Sequence, residues 1–189
     1  MRLSMSNGLF FGSMALIATA CGGGAAAAET TTTPVVEAQA SANPLSIGGD
    51  VSNFGSATLD TGFLPDPHSV NIISGAAGAN SVDIANAGIA PMNSGNCRGF
   101  ATTQPDYIVH VNSPGQLLRF FVNAPGDTTL VINDGEGHWW CSDDEGGNLN
   151  PLIEMNAPVS GQYDIWVGSF AEGANIQGVL GVSERPGTM

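Results

Sequence analysis

No stretch beyond Leu45 sustains a helical repeat. Short runs of alternating apolar and polar residues recur instead, each closed by turn chemistry. Alternation at period two is the mark of a strand with one face buried, so the chain is predicted to fold as an all-β protein. The clearest runs are "YIVHVNS", "LLRFFVNA", "TTLVIND", "PLIEMNA", "QYDIWVGSF" and "IQGVLGVSE". Earlier, "GSATLDTGF", "HSVNIIS" and "NSVDIANAG" read as further strands. The segments "SPGQ", "APGD", "DGEG" and "PVSGQ" between them carry the Gly, Pro and Asp that tight turns require. About eight or nine strands at this spacing point to an antiparallel sandwich or a jelly-roll-like barrel.

Parity assigns the faces. In "QYDIWVGSF", Tyr163, Ile165 and Val167 share one side, and Asp164 and Trp166 share the other. The charge on Asp164 marks its side as the wetter one, which places Trp166 outward. In "YIVHVNS", His110 falls opposite Tyr107, Val109 and Val111 and is expected at the surface. His68 and His138 fall in loop or turn contexts without a partner at metal-ligand spacing.

Upstream of the strands, residues 1–21 have a positive start at Arg2 and the apolar run "GLFFGSMALIATAC", the layout of a secretory signal. Its end, "IATAC", resembles a bacterial lipobox, in which the cysteine, here Cys21, carries the lipid. The other readings are a plain secretory signal and an uncleaved anchor. Residues 22–44, "GGGAAAAETTTTPVVEAQASANP", lack aromatics and have few large apolar groups. They read as a flexible tether holding residues 45–184, a single domain, away from a membrane, with 185–189 as a tail. The expected location is therefore extracytoplasmic, in a bacterial cell envelope, as an outer-membrane lipoprotein or a secreted protein. The expected membrane contact is the lipid anchor. A net charge of -13, with 17 acids and no lysine, argues against nucleic acid and against electrostatic docking on anionic lipid.

With Cys21 set aside, Cys97 and Cys141 remain. In an oxidising compartment an even pair reads as a disulfide, and no partners stand at the spacing a metal-thiolate site needs. Cys141 lies in "GHWWCSDDEGGNLNP", the densest chemistry in the chain. "TTLVIND-GEG-HWWCSD" reads as a hairpin turning at Asp134-Gly135. Trp139 then shares a face with Cys141 and is assigned to the core, and Trp140 faces the other way. Exposed rings on a sandwich stack on sugars or dock a protein, which makes Trp140 and Trp166 ligand-contact candidates unless a neighbouring loop covers them. The loop that follows offers Asp143, Asp144, Glu145 and Asn148 as oxygen ligands for Ca2+. Asn150 adds another, and Asp127 and Asp134 can approach from the hairpin. The alternative is a solvated acidic turn with one side chain capping backbone amides.

Together "DTTLVIND" and "WWCSDDEGGNLNPLIEMNAPVSGQYDIWVGSF" resemble the bacterial pre-peptidase C-terminal domain. Asp127, Thr128 and Leu130 match its D-T-x-L strand, and Asp143 and Asp144 its acidic loop. Gly161, Tyr163, Ile165 and Val167 match its G-x-Y-x-I/V-x-V strand, and Leu180 to Ser183 its last one. Upstream, "FGSATLDTGFLPDPHSVNIISG" and "NCRGFATTQPDYIVHV" are similar to a proteobacterial variant with paired cysteines. The resemblance implies a jelly-roll-like β-sandwich of secreted proteins that accompanies proteases without being one. Some members bind calcium or extracellular polymers. No nucleophile elbow, H-E-x-x-H helix or P-loop occurs, so catalysis is not expected. The expected role is a non-catalytic binding or structural module. It would adhere to cell-surface polysaccharide or protein, or serve a secreted peptidase system as an accessory domain.

Overall fold

The computed structural model describes residues 43–75 and 81–187. The signal segment with Cys21, and the tether up to residue 42, lie outside the described residues. The strands are β1 (Ser56–Thr58), β2 (His68–Ile73), β3 (Ser81–Asp83), β4 (Phe100–Thr102), β5 (Tyr107–Val111) and β6 (Leu117–Asn123). They continue as β7 (Thr128–Asn133), β8 (Trp139–Ser142), β9 (Leu152–Asn156), β10 (Gly161–Ser169) and β11 (Gln177–Ser183). A short 3-10 turn, Ile84–Asn86, follows β3, with Asp83 capping the Ala85 amide. Each run read as a strand contains one. The unanticipated strand is β4, three residues long, and the "NSVDIANAG" segment leaves strand geometry after Asp83.

Eight strands form a jelly roll. One sheet runs β2-β11-β6-β9, and the other contains β5-β10-β7-β8. From β5 onward the chain changes sheet at every step except the β7–β8 hairpin, which wraps the two sheets around each other. The short strands extend the larger sheet. β4 pairs with the far end of β10 beyond β5, β3 pairs with β4, and β1 pairs with β5. The β1–β5 pair is parallel, unlike all other strand pairs among the described residues, so the antiparallel expectation fails at that one edge.

The inner faces meet as parity predicts. Phe120, Val122, Leu130, Ile132, Ile153, Tyr163, Ile165 and Leu180 are buried between the sheets, with Phe120 and Tyr163 stacked at 5.8 Å. Each such side chain contributes about 1.5–3 kcal/mol relative to exposure.

A second core covers the outer face of the larger sheet. Val131, Cys141, Trp166 and Ala101 project there and are capped by Leu45, Val82, Ile84 and Ala87. The expectation that Trp166 faces solvent is therefore corrected: its ring is 0% exposed. The side was read correctly, but a strap formed by residues 84–97 lies on it. Asp164 does not make that side wet either. It is buried, accepting hydrogen bonds from the Gly48 amide at 2.7 Å and the Gln162 amide group at 2.7 Å. The Cys97–Cys141 disulfide forms as expected and staples the strap to β8. Asn93 adds a second tie, donating to the Cys141 carbonyl at 2.7 Å and accepting from its amide at 3.2 Å.

Candidate cation site

The β7–β8 hairpin has two working ends. At its open end, Asp127 stands just before β7, and Asp143 and Asp144 just after β8. The pairing of Leu130 with Ser142, carried past the strand ends, brings Asp127 alongside the two later acids. One carboxylate oxygen from each of Asp127, Asp143 and Asp144 lies within 4.8 Å of the others. Asp143 is buried, Asp127 half-buried and Asp144 exposed, so the cluster opens to solvent on one side.

The loop after β8 is built locally. Glu145 turns back to accept from the Ser142 hydroxyl at 2.5 Å and the Asp143 amide at 2.8 Å. Asn148 and Leu149 adopt positive φ values of 54° and 62°. Asn150 is buried and pins the turn: its oxygen accepts from the Ala124 amide and the Thr128 hydroxyl, and its amide donates to the carbonyls of Ala124 and Asn148. The four-residue ligand set expected from the sequence is thus redistributed. Asp143 and Asp144 converge. Glu145 is held by hydrogen bonds within its own turn, and Asn150 is absorbed by loop architecture. Asn148 is not among the converging groups and lends its carbonyl to Asn150. The Ser142-x-x-Glu145 spacing, familiar from capping boxes, is the sequence signal that marks Glu145 as a local cap.

Electrostatically the cluster is under-compensated. Burial raises the Asp143 pKa to about 6, with the neighbouring Asp144 charge adding to the rise and Arg98 opposing it. Arg98 stands 3.5 Å from Asp143 and is half exposed. Burial and Asp144 likewise raise Asp127. Oδ1 of Asp127 and Oδ1 of Asp143 are both buried without a hydrogen-bond partner. A buried carboxylate oxygen without a donor costs free energy, and a hard cation with oxygen ligands removes that cost. The donor set is all carboxylate, which suits Ca2+ or Mg2+ and not a thiolate- or imidazole-seeking metal.

At the closed end, the turn differs from the expected Asp134-Gly135 pair. The Gly137 amide donates to the Asp134 carbonyl at 2.9 Å, and Gly137 supplies the positive φ, 82°. The Asp134 carboxylate is consumed inside the turn, accepting from the amides of Glu136 and His138 and, at 2.9 Å, from the Trp140 indole. It is not part of the Asp127, Asp143 and Asp144 cluster. Trp140 was expected on the outer face. It projects toward the inter-sheet core and is half-buried, with one flank open to a cleft. Trp139, expected in the core, is half-buried against the second core, 5.7 Å from Trp166. His68 belongs to β2, not a loop, and its Nε2 lies 3.0 Å from the Tyr107 hydroxyl. Compared with family models, with curated proteins and with solved structures, the chain gives no match.

Proposed function

We propose that this protein is a non-catalytic, extracytoplasmic binding or structural module, held at a bacterial envelope by a lipid on Cys21. Calcium at Asp127, Asp143 and Asp144 would lock the open end of the β7–β8 hairpin. The observation that carries the cation reading is the convergence of three carboxylates, two of them with a buried and unpartnered oxygen. The disulfide is compatible with an oxidising location. No described helix is long and apolar enough to cross a membrane. The accessory-domain reading, beside a secreted peptidase, draws on the pre-peptidase C-terminal resemblance. Asp127, Asp143 and Asp144, which carry two elements of that resemblance, are the acids that converge.

Thermal melts in chelator and in calcium test the cation. Extracellular modules bind calcium at about 10⁻⁴–10⁻³ M. At about 10 mM calcium, a dissociation constant near 10⁻⁴ M stabilises the folded state by about 2.7 kcal/mol. The Asp143→Asn variant is expected to lose that gain. An unchanged wild-type midpoint across millimolar calcium would remove the cation from the proposal.

A further inference from the structure

The closed end of the hairpin carries a second feature, independent of the acidic cluster. A cavity of about 170 Å³ lies between the β7–β8 turn, the β9–β10 connection and Met92 of the strap. We propose that this cleft is a docking slot for one cationic side chain, lysine or arginine, of a partner protein. The proposal rests on the reading of the domain as a binding module and names its partner chemistry.

Size speaks first. Pockets for whole small molecules are typically about 300–1,000 Å³, so this cleft takes a single side chain. Its walls are apolar: Trp140, Met92, Met155 and Val159 offer a lining for an alkyl stem. Met92 is 59% exposed at the rim, where its flexible thioether can adapt to a guest. Charge speaks second. Asp134 and Glu136 line the cleft, and no lysine or arginine does. His138 is the basic neighbour, 3.5 Å from Asp134 and 3.7 Å from Glu136. Asp134 is held rigidly by its three hydrogen bonds, and Glu136 is exposed at the mouth. A half-buried indole beside two carboxylates attracts an ammonium or guanidinium through both the ring and the charge.

The cleft is also pre-shaped. A Cβ on Gly135 would lie 2.4 Å from the Ser160 carbonyl oxygen, and one on Gly161 would lie 2.5 Å from the Gly135 Cα. The two glycines let the turn press directly on the start of β10. Ala157, which also lines the cleft, holds a positive φ of 52°. The indole N–H is tied to Asp134, so Trp140 forms the wall of a slot and not a free platform for a sugar chain.

The test titrates the full chain with Nα-acetyl-lysine methylamide, its uncharged norleucine counterpart and a neutral β-glucan oligosaccharide. The readout is the Trp140 indole N–H resonance. The lysine probe is expected to move that resonance at millimolar concentration, and the norleucine probe to leave it in place. Glu136→Gln, an exposed change that leaves the melting midpoint unaltered, is expected to weaken binding about three- to fivefold, as does salt at about 0.5 M. Equal response to norleucine overturns the cationic class. A response to the glucan alone also overturns it but keeps the binding-module reading. Silence with all three probes overturns the slot, and the calcium melts then decide the open-end site separately.

Discussion

Removing the Cys97–Cys141 disulfide tests how the second core is held. The bond closes a loop with a sequence separation of 44 residues. In the chain-entropy treatment, removing the crosslink from a loop of this length lowers the free energy of the unfolded state by about 4 kcal/mol relative to the crosslinked chain. For a domain near this size, one kcal/mol shifts the melting midpoint by about 2–4 °C. The Cys97→Ala/Cys141→Ala variant is therefore expected to melt roughly 10–15 °C lower, and wild type in reductant should match it. Location adds a second expectation. Cys141 is fully buried beneath the strap, beside Val131 and Trp166. Loosening the strap wets Trp166, so the native-state tryptophan emission should shift to the red before the main transition. Urea unfolding followed by fluorescence and by far-ultraviolet circular dichroism measures both effects. A loss below about 1 kcal/mol, with native emission unchanged, would refute the reasoning. The bond would then neither restrict the unfolded chain nor secure the strap.

Three further outcomes follow from other parts of the molecule. Asp106 is fully buried, accepting from the Val167 amide at 2.7 Å and the Asn53 side chain at 2.9 Å, and burial raises its pKa to about 7. A raised carboxyl contributes stability that is full below its ordinary pKa and lost as pH rises through about 7. Asp106→Asn should therefore gain stability relative to wild type from about pH 4 to about pH 7 and level off above that; parallel melting curves across that window would contradict this. Gly181→Ala places a Cβ 2.2 Å from the buried Phe121 ring and should cost about 1–3 kcal/mol by overpacking, measured as a lower urea midpoint. Cys21→Ser should abolish incorporation of labelled fatty acid and release the protein from membranes; retained label would end the lipoprotein reading.

Strand alternation was readable because it is local. "QYDIWVGSF" places Tyr163, Ile165 and Val167 on one side from their spacing alone, and the structure buries all three between the sheets. The cysteine pair was readable by counting. β4 was not, because three residues between Gly99 and a turn carry no period to detect. The acids were partly readable: Asp143 and Asp144 announce themselves by adjacency, whereas Glu145 is claimed by Ser142 only once the turn closes.

What the sequence determined by itself is the all-β class, which residues of a strand share a face and the one possible disulfide among the described residues. Tertiary structure decided what lies on each side. Trp166 faces away from the inter-sheet core and is still fully buried, because residues 84–97 cross over it. Trp140 faces inward and keeps an open flank, because the sandwich ends there. Periodicity is a property of neighbours in the chain. Burial and ligand convergence depend on segments brought together from far along it, such as Asp127 with Asp143 or Leu45 with Trp166.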